Sequence, residues 1–286
     1  MLKFLSNSFS ALKSYQSSLD VTAHNLANIN TTAFKENQAS FQELPYRALA
    51  ERRLPHIAGQ PPGNLLSGRG TIFSSTVSRQ EQGAHSPSGG KMHLAIEGEG
   101  FFRVQRGDGE FAYTRSGTFA IDSAGNFVLP GGERLDFNLQ DVEQDLGAEI
   151  ETSTLTVDQE GNVYAYTLDQ QENVESLEDM NGEDDLPAGM VNVGELSLYR
   201  FANTQGLSNV GGNLLLPSEA SGPPLESVPG EAGVGVLKQG FLEESNVDFS
   251  RQMTDLIRGQ RALQASSRTM VAADELWGLT LQLQTT

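Results

Sequence analysis

Cysteine is absent from the 286 residues, aromatic side chains account for 7% of them, and there is a single tryptophan. Without cysteine there is no disulfide, thiolate metal site, Fe–S cluster or thiol nucleophile. The absence suits a cytosolic chain and an exported one equally. Basic residues are also scarce, with 19 Lys and Arg against 37 Asp and Glu and a net charge of −18. The shortage is local: Glu133 to Glu195 holds 18 acidic residues and one basic residue, Arg134, while the remainder holds 18 basic and 19 acidic. The chain therefore reads as a near-neutral protein carrying one acidic, solvated stretch. Its scattered Lys and Arg lack the basic stripe that nucleic-acid binding requires. Long apolar runs are missing too. Met92–Ile96 and Asn213–Pro217 fall far short of the roughly 20 residues that cross a bilayer, so no membrane insertion is expected. The N-terminus has no continuous apolar core of the secretory kind.

What is present sits first at the two ends. From Lys3 to Ala27 no Gly or Pro occurs, and Leu5, Leu12, Leu19 and Leu26 recur every seven residues, which predicts a helix with one apolar seam. Phe9, Gln16 and Ala23 form its second seam position, and Asn25 to Thr32 should end it, because Asn and Thr compete for backbone hydrogen bonds. Phe249, Leu256, Leu263, Met270 and Trp277 repeat the spacing at the C-terminal end, with Gly259 and Gly278 as the only breakers. Gly259 costs a helix about 1 kcal/mol relative to Ala, so packing must hold this helix. Asn246 or Asp248 can cap its start. Seams this narrow cannot stabilise lone helices in water. The two ends should pack on each other, on neighbouring copies, or on both.

Between the ends the pattern changes. Leu94–Ile96, Phe101–Val104, Phe111–Tyr113, Phe119–Ile121, Phe127–Leu129, Leu155–Val157 and Val163–Tyr166 are short β-rich runs separated by turn residues. Asp108-Gly109 signals a hairpin. Ile121–Val128 and Val157–Tyr164 form a small repeat in which Asp starts a turn and Gly supplies positive φ, so it reads as hairpin chemistry and not as a metal loop. The expected fold is α+β, with terminal helices pairing as a coiled-coil-like domain and a central, mainly antiparallel β domain. The boundaries are 1–44 for the N-terminal helix of the assembly domain, 45–90 for an extended Pro- and Gly-rich connector, 91–242 for the β domain with an acidic excursion near 169–187, and 243–286 for the C-terminal helix.

Catalytic patterns are wanting. His24, His56, His85 and His93 form no metal-binding pair at helical spacing. Ser88-Gly-Gly-Lys91 lacks the earlier Gly and following Ser or Thr of a phosphate loop, and no helix follows Gly98-Glu-Gly100. Arg106-Gly-Asp108 falls at a hairpin tip, where Gly and Asp already have a turn role. No Gly-x-Ser-x-Gly elbow occurs. No catalytic, cofactor or metal residues are expected, and the chain is not expected to be an enzyme. The competing reading is a β binding module that uses the acidic stretch for calcium or a basic partner.

Three segments carry a resemblance. Leu19-Asp-Val-Thr-Ala-His-Asn-Leu-Ala-Asn28 followed by Asn30-Thr-Thr-Ala-Phe-Lys35 resembles the N-terminal signature of bacterial flagellar rod and hook proteins. Leu94–Val104 with Tyr113–Phe119 resembles their central β segment, and Gln239–Val247 with Met253–Ile257 and Gln260–Ala262 is similar to their C-terminal signature. The resemblance implies axial, self-assembling subunits without catalytic activity, with terminal helices forming an inner tube and a β domain outside it. It implies export through the flagellar type III apparatus without a cleaved signal, and a place in the periplasm-spanning rod of the basal body. Implied partners are copies of the chain, neighbouring rod and hook axial proteins, the export apparatus and the outer ring (bushing) proteins. Pro45–Gly68 is similar to the extra stretch of the distal-rod branch; a proximal-rod or hook-type role is the alternative. Leu5, Leu12, Leu19, Leu26, Leu256, Leu263, Met270 and Trp277 are the expected assembly interface. Asn25 and Asn28 are expected to turn the chain out of its first helix, and polar seam residues Gln16, Gln260, Ser267 and Asp274 to fix register between copies. One departure concerns geometry: Ala33 stands where the family usually has Gly before Phe34-Lys35.

Overall fold

A computed structural model describes residues 2–45, 47–48, 66–68, 70–122, 126–138, 155–166, 190–231 and 233–284. The acidic excursion near 169–187 lies outside them, as does most of Pro45–Gly68. The chain divides into two compact units, one made of Met1–Ile29, Glu36–Arg79 and Val247–Thr286, the other of Asn30–Lys35 and Gln80–Asn246.

The first unit is helical. Helix α1 runs Leu2–Ala27 and α2 runs Phe249–Gln284. Asp248 caps α2: its carboxylate accepts the Arg251 N–H at 3.0 Å, satisfying one donor that a helix start leaves unpaired. At the other terminus, the Asn28 N–H and side-chain amide both donate to the His24 carbonyl, at 3.2 and 2.9 Å, and close the last turn of α1. Strands Asn37–Glu43 and Thr71–Ser78 pair antiparallel, Asn37 opposite Ser78 and Glu43 opposite Thr71, with a bulge between Ser40 and Phe41. Part of the expected 45–90 connector is therefore a regular strand. Of its eight residues, Thr-Ile-Phe-Ser-Ser-Thr-Val-Ser, all but Phe73 are β-branched or hydroxylic, and they escape notice beside so many prolines. The hairpin packs on the small-residue face of α1. The Ser14 hydroxyl donates to the Thr71 carbonyl at 3.2 Å, and at Gly70 (φ +99) an added Cβ would fall 2.2 Å from Ser10 Oγ, so only glycine permits this approach.

The second unit is an antiparallel β structure. Its largest sheet has seven strands in the order Ser208–Gly211, Leu214–Leu216, Phe111–Thr114, Phe102–Gln105, Arg134–Asn138, Asn126–Val128 and Ala120–Ile121. Every sequence-predicted β run is a strand or borders one. Phe102–Gln105 and Phe111–Thr114 form the hairpin expected at Asp108-Gly109, where Gly109 takes φ +86. In the second copy of the repeat Gly161 takes φ +90, and in the first the Asp122 carboxylate accepts the Asn126 N–H at 3.0 Å. Inward-facing residues such as Leu94, Ile96, Phe102, Val104, Phe127 and Leu237 are essentially buried and form one core. Beside it Phe101, Tyr113, Tyr199 and Phe201 pack edge to face, with the Tyr113 and Phe201 rings 4.8 Å apart.

An ion-paired cluster ties distant pieces of this unit together. Glu243, 1% exposed, pairs with the Lys35 ammonium, takes the Gly83 N–H at 2.9 Å, and lies 3.4 Å from the Arg115 guanidinium. Arg115 also donates to the Gly98 carbonyl at 2.8 Å, and Lys35 to that of Glu81 at 2.8 Å. Burial pulls the Lys35 ammonium below its ordinary value; Glu243 pulls it back up, and Arg115 lowers it further. Nearby, the Ala33 N–H donates to the Glu243 carbonyl at 2.8 Å, with Ala33 held at φ +56 in the left-handed region. The departure from glycine at this position thus leaves the left-handed turn in place, at a steric cost to alanine of roughly 1–2 kcal/mol.

Two predictions follow from these contacts. Glu243→Gln leaves two buried cations without their counterion, and calorimetry of the full chain should find the β unit about 3 kcal/mol less stable. An unchanged unfolding midpoint would remove the cluster from any structural role. At Ala33, glycine should be tolerated within about 1 kcal/mol, because relief of strain offsets a lost methyl contact and a more flexible unfolded chain. Valine, β-branched and excluded from positive φ, should cost about 2 kcal/mol or more by the same measurement.

Candidate assembly site

In the helical unit α1 and α2 run antiparallel. Asn25 meets Gln252, while Leu19 lies against Gly259, so six residues back along α1 correspond to seven forward along α2. A Cβ at Gly259 would stand 2.7 Å from Leu19 Cδ2 and 3.1 Å from Cγ. The helix breaker is therefore the point of closest approach: missing side-chain volume on α2 admits a leucine from α1.

The expected interface residues are placed as follows. Leu12, Leu19 and Leu26 on α1, and Leu256, Leu263, Met270 and Trp277 on α2, are all half-buried; the side chain of Leu5 lies outside the described residues. Full burial of one leucine is worth roughly 1.5–3 kcal/mol, and within one copy these residues realise part of it. The second seam positions turn outward: Phe9 is 58% exposed, and Gln16, Ala23, Gln260, Ser267 and Asp274 are exposed. Large apolar side chains accompany them at the surface of α2, with Phe249, Ile257, Val271, Leu276 and Leu279 each about half exposed or more.

Asn25 has a role different from an ordinary cap. It lies within α1, 2% exposed, and its carboxamide pairs with both backbone groups of Asn37: Oδ1 accepts the N–H at 2.9 Å, and Nδ2 donates to the carbonyl at 2.8 Å. Nδ2 also reaches Gln252 Oε1 at 3.3 Å. Gln252, 3% exposed, donates onward to the Glu36 carboxylate at 2.7 Å, and Arg79 meets the other Glu36 oxygen at 3.3 Å. One asparagine thereby binds its own helix to the first strand of the hairpin and to α2. Asn28 stays at the helix end, closing its last turn. Sequence reasoning had singled out Asn25, but it missed Gln252, Glu36 and Arg79. The available signal was a glutamine three residues after Phe249 and four before Leu256, and so on the seam face of the helix.

Comparison with known proteins gives the arrangement a family. A model described as "Flagella basal body rod protein" matches residues 5–35, one described as "Flagellar hook protein FlgE/F/G D1 domain" matches 95–165, and one described as "Flagellar basal body rod FlgEFG protein C-terminal" matches 238–283. The flagellar basal-body rod protein FlgG of Borreliella burgdorferi is 31% identical over 286 residues, covering 99% of each chain. The chain belongs to the flagellar basal-body rod protein family. The FlgG protein of Agrobacterium fabrum is 31% identical over 277 residues, 96% of this chain and 97% of that one. By contrast, the flagellar hook protein FlgE of Helicobacter mustelae, 37% identical, aligns over 134 residues, 46% of this chain and 30% of its own. Likeness to rod proteins thus runs end to end, and likeness to this hook protein does not. The first and last family matches cover α1 from Leu5 onward and the first 35 residues of α2, and so enclose Asn25, Leu19, Gln252 and Gly259.

For a rod-family member, the carboxamide of Asn25 is the residue to test. Asn25→Ala would leave the Asn37 peptide and Gln252 without their partner, at a cost of about 2–3 kcal/mol to the helical unit. Hydrogen exchange should read this as faster exchange at the Asn37 amide, while strands of the β unit keep their protection. Unchanged exchange at Asn37 would mean that the carboxamide holds nothing.

Proposed function

We propose that this chain is a structural subunit of the flagellar basal-body rod, in the distal position, and that it assembles through α1 and α2 into the axial shaft that carries torque toward the hook. The observation that carries the proposal is a helix pair half-finished as a core. Its seam leucines are only half-buried, and apolar side chains at Phe9, Phe249, Ile257, Val271, Leu276 and Leu279 remain exposed. An apolar face of this extent on a helical unit is what neighbouring copies would cover. Leu5, Leu12, Leu19, Leu26, Leu256, Leu263, Met270 and Trp277 are the proposed assembly residues, serving within one copy and between copies. Support for the distal position comes from the end-to-end likeness to FlgG proteins, the distal-rod branch of the family. The other axial rod and hook proteins would be its neighbours. Passage through the type III export apparatus, and contact with the bushing rings once in place, belong to the same reading.

A cell test separates the seam from the β unit. Leu19→Asp and Leu263→Asp each place a carboxylate at the helix pair, at several kcal/mol of desolvation. Each should abolish swimming and leave basal bodies without a complete rod in electron micrographs. The β unit of the purified variants should keep its thermal midpoint. Normal swimming with either substitution would refute the seam.

A further inference from the structure

We propose that a groove in the helical unit is a docking site for a second copy of this chain, and that its occupant is the last third of α2, through the face bearing Val271, Asp274, Glu275 and Leu279. The proposal rests on the reading as a self-assembling subunit and specifies which two patches meet. The groove, about 540 Å³, lies between α1, the Asn37–Glu43 strand and the first half of α2. Tyr15 and Phe41 supply apolar lining and are 39% and 45% exposed. The charged lining is Arg79, Arg251 and Arg258 against Glu36 and Asp255, one net positive charge in a chain of net −18. Glu36 is engaged by Arg79, and Asp255 lies 3.5 Å from Arg258, which leaves Arg251 as the excess. Arg251 and Arg258 are two helical turns apart, about 10 Å along one face of α2.

The far end of the same helix carries the complement. Val271, Asp274, Glu275 and Leu279 stand at i, i+3, i+4 and i+8, so they share one face. All four are exposed, Val271 and Leu279 by 56% and 57%. Two carboxylates flanked by two aliphatic side chains are opposite in sign to the excess charge at Arg251, and their aliphatic neighbours match the two aromatic rings in polarity. The groove and the helix end are different surfaces of one chain. A single groove–end contact uses one groove and one end, so it leaves a free end on one copy and a free groove on the other, and in the proposed arrangement further copies add there as a line of subunits.

The test uses the full chain and charge exchange. Asp274→Arg with Glu275→Arg inverts the helix end, and Arg251→Glu with Arg258→Glu inverts the groove. In sedimentation velocity at low salt, wild type should form oligomers, and each double variant should need at least a tenfold higher concentration to do so. An equimolar mixture of the two variants should recover assembly, because each supplies the charge that the other has lost. Wild-type-like assembly by either variant alone, a mixture that stays monomeric, or a wild-type chain that stays monomeric to its solubility limit would each overturn the site. A photocrosslinking phenylalanine analogue placed at Phe41 in cells should capture the 271–279 peptide of another copy in purified basal bodies. If the chain is in basal bodies and the crosslink maps elsewhere, the docking site fails and the rod reading stands. If the chain is absent from basal bodies, both fail.

Discussion

The helical unit depends on one carboxamide. A primary amide side chain is a peptide group without a chain attached, so Asn25 can pair with the Asn37 peptide as a neighbouring strand would, donor to acceptor on both sides. Burial raises the stakes, because a buried group that loses its partner bears the desolvation cost of whatever is left unpaired. The third bond, to Gln252, recruits α2, and Gln252 hands the network on to Glu36 and Arg79. Apolar packing is indifferent to small slides of one helix along another. A chain of directed hydrogen bonds fixes the rotation and the register of α1 against α2 and the hairpin. Asn25 therefore positions the seam, and the leucines supply its attraction.

Gly259 completes the same logic from the opposite direction. Taken alone it weakens α2 as a helix, which is why the sequence marks it as a breaker. In the folded unit the absent side chain is the space that Leu19 occupies. A single leucine in a slot this narrow fixes a close contact between the helices, about two turns from the Asn25–Gln252 bond. Specific contacts are thus concentrated over a short length of the helix pair, while the half-buried residues on either side remain adaptable.

Much of this architecture was legible in the sequence, for identifiable reasons. Helices α1 and α2 were marked by a large apolar residue every seventh position, leucine throughout in α1, and by freedom from proline; the β unit was marked by short runs of β-branched and aromatic residues between Gly-bearing turns. The Thr71–Ser78 strand was not legible, because its hydroxyl side chains serve a two-stranded hairpin lying on a serine-faced helix, where no alternation of apolar and polar is required. The Glu243 cluster was hidden for a different reason. Lys35, Arg115 and Glu243 are spread over some two hundred positions, and only the closing of chain segments 30–35 and 240–246 onto one another makes them neighbours. Asn25 was legible as a special residue, but its task was not, since a cap and a peptide mimic draw on the same side chain.

The distribution of charge bears on how such a subunit can associate at all. A chain of net −18 should repel its own copies, yet the repulsion falls unevenly. Counted over the two units, the helical one holds 11 basic and 8 acidic residues, a net of +3, and the β one 8 basic and 29 acidic, a net of −21. The helical unit, proposed above as the assembling surface, therefore carries almost none of the repulsion. Within α2 the small positive excess is itself polarised: Arg251, Arg258, Arg261 and Arg268 occupy the first two-thirds with Asp255, and Asp274 and Glu275 the last. A helix with one positive and one negative end meets its own kind most favourably when the end of one lies beside the beginning of the next. Attraction of that sort is directional, and in the proposed contact short-range apolar burial then acts on partners whose charges have already oriented them.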